Sequence, residues 1–354
     1  RVEERLLKYV SYWTTSDEEC RQIPSSERQF ELGKVLEQEL CDLGLEKVTL
    51  TDHCYVYGLL PATKGYADKP AVGFISHMDT APDFSGKDVK LPRDRKIMTA
   101  VEQIIAEKIP HGDIWIGFTP DEEVGSGADL FDLDYFKARF AYTVDGDYEG
   151  EVAYENFNAA SASFEINGVN VHPGEAKDIM INAALVGCEI ASLLPENETP
   201  AHTEGREGFY HLTDFSGDIA HAKVNYIVRD HDKATFEKRL DTLRGIEKKM
   251  NEKYHEDTVK LNIQHSYSNM LEVIEKNEYV VAIAKKAIKN VGLEPVSRPV
   301  RGGTDGARLS FMGLPCPNLG TGGYGFHGPF EHISVEGMDT AVSVIKEIVK
   351  ITAE

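Results

Sequence analysis

Short apolar runs alternate with amphipathic stretches over the first part of this chain. The apolar runs predict strands at 47–51, 55–60, 72–76, 113–118 and 140–144. The amphipathic stretches predict helices at 2–12, 26–43 and 98–108, the second opening at a Ser26–Gln29 capping box. Alternating strands and helices predict an α/β fold, a mostly parallel sheet with helices on both faces.

The pattern changes after Glu155 and changes back near residue 270. Between these points it predicts strands at 161–167, 222–229 and 259–267, with helices at 179–193 and 232–254. Such a block is typical of a small two-layer α+β domain inserted into a larger one. We therefore expect residues 1–157 and 270–354 to form one domain and residues 158–269 to form the inserted domain.

Composition limits the classes of function. A length of 354 residues fits about two domains. The formal charge of −21 argues against nucleic acid or an anionic membrane as partner, because such partners need a basic face. Five scattered cysteines with no CxxC pair predict reduced thiols and a cytoplasmic location. We find no signal peptide, and no apolar run approaches the ~18 residues of a membrane helix.

A histidine and an aspartate follow the predicted strand at 72–76. His77 and Asp79 are spaced i, i+2, so extended backbone points both side chains to one side. Ligands bind at the carboxyl edge of such sheets. Imidazole binds zinc, and its second N–H commonly goes to a carboxylate. Taken alone, this stretch is equally compatible with a chance pair at a strand end.

Three further stretches carry candidate chemistry. Glu122 and Glu123 follow the strand at 113–118, and Asp145 ends the next strand. His327 lies between glycines, which give its backbone the freedom to enter a crowded site. A metal ligand beside a general base is what metal-assisted hydrolysis requires. Solvated acidic turns are the structural alternative for the carboxylates.

Three cationic or hydrogen-bonding side chains are candidates for binding an anionic group. Arg301 precedes Gly-Gly-Thr-Asp-Gly between a strand and a helix, where it would clamp a carboxylate or tie down its own loop. His172 and Arg229 belong to the inserted domain, and structural roles suit them equally well. The sequence contains no Walker A loop, GxSxG elbow, HExxH or cysteine cluster.

Together the motifs resemble those of one enzyme family. SHMDT, FTPDEEVG, YTVDGD, ENFNAAS, VHPG, RGGTDGA and FMGLPCPNL follow one another as they do in the peptidase T family, the cytosolic tripeptide aminopeptidases of the dinuclear-zinc exopeptidase superfamily. The resemblance implies a catalytic α/β domain with an inserted lid, a short peptide as substrate, two zinc ions per chain and possibly a homodimer.

The resemblance also implies roles for single residues. His77 and Asp145 would hold one zinc ion, and Glu123 and His327 would hold the other. Asp79 would orient His77, and Glu122 would deprotonate the attacking water. His172 and Arg229 resemble lid positions that meet substrate.

One family feature is missing from the sequence. The family has a bridging aspartate, in an LGADDKAG-like motif, just before the helix predicted at 98–108. Here the chain between Gly86 and Met98 has no such motif, and the family's chains are longer by several tens of residues in this region. We expect those residues to be absent from this sequence, the alternative being a protein without the bridge. Asp94 is the nearby carboxylate, and we do not expect it to substitute.

Two other kinds of function stay open. A related dizinc carboxypeptidase, dipeptidase or N-acyl amino acid deacylase would share this metal chemistry. A non-catalytic peptide-binding or metal-binding protein would follow if the bridge were truly absent.

Overall fold

A computed structural model describes residues 2–87, 96–328 and 330–354 in two compact units. The first unit comprises Arg1–Tyr154, Met270–Arg298 and Gly303–Glu354, and the second comprises Glu155–Asn269 and Pro299–Gly302. The insertion predicted at 158–269 thus begins at Glu155 and also includes the short segment Pro299–Gly302. Most of the segment between Gly86 and Met98, including Asp94, lies outside the described residues.

The helices are α1 (Val2–Tyr9), α2 (Gln29–Asp42), α3 (Lys96–Ala106), α4 (Ala183–Ser192), α5 (Lys233–Lys253), α6 (Leu271–Ile274), α7 (Glu278–Asn290), α8 (Asp305–Phe311) and α9 (Val335–Ala353). The strands are β1 (Glu46–Leu50), β2 (Val56–Leu60), β3 (Val72–His77), β4 (Ile114–Thr119), β5 (Phe140–Gly146), β6 (Val152–Ala153), β7 (Asn158–Asn167), β8 (Phe209–Gly217), β9 (His221–Asp230), β10 (Val259–Tyr267), β11 (Asn318–Gly320), β12 (Gly323–Tyr324) and β13 (His332–Ile333).

A seven-stranded sheet organises the first unit, in the order β1-β2-β4-β3-β5-β11-β6. Its central strands β4, β3, β5 and β11 run parallel, and β1, β2 and β6 pair antiparallel at the two sides. Because side chains alternate across a strand, Phe74 enters the core that contains α2, α3, α7 and α9. Its neighbour Ile75 enters a second core, which contains α8. Helices therefore cover both faces, as predicted.

The second unit is an antiparallel sheet in the order β10-β7-β9-β8 with α4 and α5 packed on it. Alternate residues of β7 and β9, such as Phe164 and Val224, are buried in its core. The sequence pattern did not locate β8. This strand lies at the sheet edge and seven of its nine residues are exposed, so it carries no alternating apolar signal.

Two helix starts differ from the predicted ones. Arg28 rather than Ser26 precedes α2 and makes no side-chain cap, so the predicted capping box does not form. Helix α4 begins at Ala183, where the Asn182 side chain accepts a hydrogen bond from the Leu185 N–H. Among the helices that the structure describes, none is long and apolar enough to span a bilayer.

Candidate metal centre

The predicted site residues of the first unit converge at the carboxyl edge of its parallel strands. His77 ends β3 and lies in register with Thr119, the last residue of β4. Asp145 lies near the end of β5, the other neighbour of β3. Parallel strands end at a common edge, so residues remote in sequence meet there.

The Asp79 carboxylate joins the parts of this site. Its Oδ1 atom lies 3.1 Å from the His77 Nδ1 and accepts the Glu122 N–H at 3.1 Å. Its Oδ2 atom accepts the Glu123 N–H at 3.2 Å. The Asp79 side chain has no exposed surface. One buried carboxylate therefore fixes the imidazole and the turn that carries both glutamates.

The other ring nitrogen of His77 points toward acidic side chains. The His77 Nε2 lies 3.3 Å from the Asp145 Oδ1. One potential ligand atom each of His77, Glu122 and Asp145 lies within 4.8 Å of the other two. An imidazole and carboxylates at this separation form a donor set that zinc and similar divalent cations accept.

His327 forms a second imidazole–carboxylate pair. Its Nε2 lies 2.9 Å from the Glu123 Oε2, and its Nδ1 lies 3.4 Å from the Asp83 Oδ2. His327 has a φ of +56°, a left-handed conformation that is uncommon outside glycine and recurs at functional sites. Asp83 was not predicted from the sequence, although it lies only four residues after Asp79.

Buried polar contacts hold the glutamate turn in place. Asp121 has a φ of +53° and no exposed surface. Its carboxylate accepts the Ser25 N–H and the Gln29 Nε2–H, both at 2.6 Å, and the Ser25 hydroxyl at 2.5 Å. The left-handed residue before Glu122 is thus anchored to the segment that leads into α2.

A second buried acid lies beneath the turn. Asp305 begins α8, and its Oδ2 accepts the Thr119 hydroxyl at 2.7 Å. A Cβ atom added at Gly127 would lie 2.4 Å from both carboxylate oxygens of Asp305, so only glycine fits there. Burial raises the pKa of Asp305 to about 7. The sequence gave no signal for this acid beyond its place in RGGTDG.

The site is electrostatically crowded with acids. Burial opposes charge on both partners of the His77–Asp79 pair, yet their mutual attraction lowers the pKa of Asp79. The Asp145 and Asp79 carboxylates likewise outweigh burial and raise the pKa of His77 well above 6.5. Burial and the Asp145 charge raise the pKa of Glu122 well above its usual range and also raise that of Asp147. Excess negative charge of this kind favours bound cations.

The three candidate anion-binding residues lie in the second unit. His172 is exposed, and its Nδ1 accepts the Gly174 N–H at 3.2 Å. Arg229 donates from Nη1 to the Arg301 carbonyl at 2.9 Å, while its buried Nε has no hydrogen-bond partner. The two Nη atoms of Arg301 donate to the carbonyls of Gly205, Glu207 and Thr203 and to the Thr203 hydroxyl. Arg301 therefore ties together a loop of its own unit, the alternative that the sequence left open.

Comparison with known proteins identifies the family. Peptidase T from Clostridium perfringens is 47% identical over 406 aligned positions, which cover 100% of this chain and 99% of the relative. The chain belongs to the peptidase T family. Peptidase T from Pectobacterium carotovorum is 42% identical over 401 positions, with 99% of this chain and 98% of the relative covered. The family prediction and the predicted peptidase class are confirmed.

Other comparisons agree with the fold of this peptidase T family member. The family described as the peptidase dimerisation domain matches residues 154–258. The crystal structure of the aminopeptidase PepT from Bacillus cereus superposes with a TM-score of 0.84 at 21% identity, covering 100% of this chain and 98% of that one. A tripeptidase from Staphylococcus aureus superposes with a TM-score of 0.83 at 20% identity and the same coverage. The predicted fold class is confirmed.

The alignment lengths bear on the missing family motif. The alignment with the Clostridium perfringens relative has 406 positions, whereas this peptidase T family member has 354 residues, a difference of 52. At least that many positions of the alignment therefore have no residue from this chain.

The raised pKa of His77 leads to a testable prediction for the metal-free protein. By NMR titration after treatment with a chelator, the His77 ring should titrate well above 6.5. Asp145→Asn should lower this pKa, because it removes the charge that outweighs burial. His77 then stabilises the fold fully below pH 6.5, and the stabilisation is lost as pH rises through the raised pKa.

Asp68→Asn, at an exposed position, is the matched control and should leave the His77 titration unchanged. Titration of the wild-type ring at or below 6.5 would contradict this account of the site.

Proposed function

We propose that this chain is a dizinc aminopeptidase that removes the N-terminal residue from tripeptides. The observation that carries the proposal is the pair of imidazole–carboxylate contacts joined through Asp79. Support for a tripeptide substrate comes from the full-length relatives named peptidase T. The Staphylococcus aureus enzyme that shares the fold is described as a tripeptidase.

Two ligand pairs divide the cations between them. His77 and Asp145 would hold one zinc ion, and Glu123 and His327 would hold the other. When bound, zinc supplies Lewis-acid chemistry, polarising the peptide carbonyl and making water more acidic. A Bacillus subtilis protein that shares the fold, with a TM-score of 0.73 at 14% identity, is described as a dinuclear metal-binding peptidase.

The residues around the ligands orient them and move the proton. Asp79 accepts the Nδ1–H of His77, which leaves the Nε2 lone pair directed toward Asp145. Glu122 takes a proton from the water that attacks the peptide carbonyl and returns a proton to the leaving amine nitrogen. Its raised pKa suits a carboxylate that must hold a proton between these steps.

Each zinc ion would have two protein ligands from the residues named here, fewer than the three or four typical of protein zinc sites. We propose that a bridging aspartate belongs to the family segment that this chain lacks. The 52-position difference in length supports this. Substrate contacts by His172, Arg229 and Arg301, and a cytoplasmic location, stay predictions.

Glu122→Gln tests the proposed base. We expect turnover of a tripeptide with a free amino terminus to fall by about 10²–10⁴-fold, because the amide cannot accept the proton. Zinc content, measured by plasma mass spectrometry, should stay at the wild-type value of about two ions per chain, as expected for a two-metal site. Glu294→Gln, at an exposed position, is the control.

Unchanged turnover in Glu122→Gln would contradict the role of base. Loss of one zinc ion from this variant would instead make Glu122 a ligand, which its closeness to His77 and Asp145 permits. Wild-type protein that cleaves only N-acylated peptides would contradict the aminopeptidase activity.

We also propose that two copies of this chain associate through the second unit. The family match at residues 154–258 is to a peptidase dimerisation domain. Exposed apolar side chains lie there on α4 and around the edge strand β8, namely Leu185, Leu212, Phe215 and Ile219. An edge strand beside exposed apolar surface is suited to pairing with a second copy.

Leu185→Lys tests this association by placing a charge on the most exposed of these side chains, 65% of which is accessible. Light scattering after gel filtration should report a dimer for the wild type and a monomer for the variant. Leu130→Lys, which is 47% exposed in the first unit, should stay dimeric. A monomeric wild type at micromolar concentration would contradict the proposal.

A further inference from the structure

The two candidate ligand histidines have matching environments. In His77, Nε2 faces Asp145 and Nδ1 faces Asp79. In His327, Nε2 faces Glu123 and Nδ1 faces Asp83. Each imidazole thus lies between one carboxylate on its Nε2 side and a different carboxylate on its Nδ1 side. Asp79 and Asp83 belong to one short segment after β3.

The segment that carries Asp83 is held at both ends by the hydroxyl of Thr15. This oxygen lies 2.9 Å from the Thr80 hydroxyl and accepts the Gly86 N–H at 3.0 Å. It also accepts the Trp13 Nε1–H at 3.1 Å. A hydroxyl has two acceptor positions and one proton, so Thr15 donates to Thr80 and all its hydrogen-bonding capacity is used.

The contact leaves no room for a larger residue at the end of the segment. A Cβ atom added at Gly86 would lie 2.5 Å from the hydroxyl oxygens of both Thr15 and Thr80. The Thr80 carbonyl also accepts the Ser16 N–H at 3.1 Å. Asp83 therefore projects from a loop whose two ends are fixed, so its position relative to His327 is defined by the fold.

We propose that Asp83 is the positioning residue of His327, acting on the second zinc site as Asp79 acts on the first. This inference rests on the proposed metal-dependent function. A carboxylate on Nδ1 fixes the tautomer and the ring orientation and makes Nε2 a better ligand. His327 depends on such a partner because its side chain is 52% exposed, against 15% for His77, so packing restrains it less.

Asp83→Ala tests the proposal through metal affinity rather than turnover. Zinc dissociation constants for both sites are measured by competition with a chromophoric chelator. We expect the affinity of one site to fall by about 10–100-fold, the range for loss of such a partner, with the other site unchanged. Asp68→Ala, at an exposed position outside the site, should leave both affinities at wild-type values.

Two further readouts separate positioning from general damage. In ¹⁵N-labelled zinc-bound protein, the His327 Nδ1–H resonance of the wild type should lose its hydrogen-bonded downfield shift in Asp83→Ala. Thr15→Val removes the hydroxyl that fixes the loop, and it should weaken the same zinc site by a smaller factor. His77 resonances should not move in either variant.

Several outcomes would overturn the inference. Unchanged zinc affinities with a raised KM in Asp83→Ala would make Asp83 a substrate contact, and an equal loss at both sites would mean that it supports the whole site. Each leaves the proposed function intact. Wild-type protein that binds no zinc would instead overturn the proposed function and this inference with it.

Discussion

The site depends on the hydrogen bonds that the buried Asp79 carboxylate accepts. It takes the N–H groups of Glu122 and Glu123 and lies 3.1 Å from the His77 Nδ1. A buried charge is costly unless it is paired and hydrogen-bonded, and these contacts meet both conditions. They also join the end of β3 to the turn after β4, so the imidazole and the two glutamates cannot be displaced independently. Removal of this carboxylate would leave two N–H groups without their acceptor and an imidazole without its orienting partner.

The same edge of the sheet collects more negative charge than a metal-free protein would tolerate easily. The raised pKa values of Glu122, Asp147 and Asp305 have burial as their largest cause and the Asp145 carboxylate as a further one. Divalent cations would relieve this repulsion and allow the acids to ionise at neutral pH. Metal binding, the protonation of Glu122 and the stability of the glutamate turn are therefore linked properties of one site.

Much of this could be predicted because polar residues interrupt apolar strands. His77 and Asp145 were identifiable since parallel strands end at one edge of a sheet, whatever lies between them in sequence. Three features gave no such signal. Strand β8 lacks alternation because it lies at an exposed edge. The Asp83–His327 contact joins two loops whose meeting depends on tertiary packing. The donors of Arg301 go to loop carbonyls, which no local pattern distinguishes from a ligand-binding role.

The central claim is that His77, Asp145, Glu123 and His327 surround a pair of divalent cations. Anomalous diffraction at the zinc absorption edge from zinc-loaded crystals tests it most directly. The account predicts two peaks roughly 3.5–4 Å apart, one touching His77 and Asp145 and the other touching Glu123 and His327. No peak at this edge of the sheet, or zinc bound only elsewhere in the chain, would contradict it.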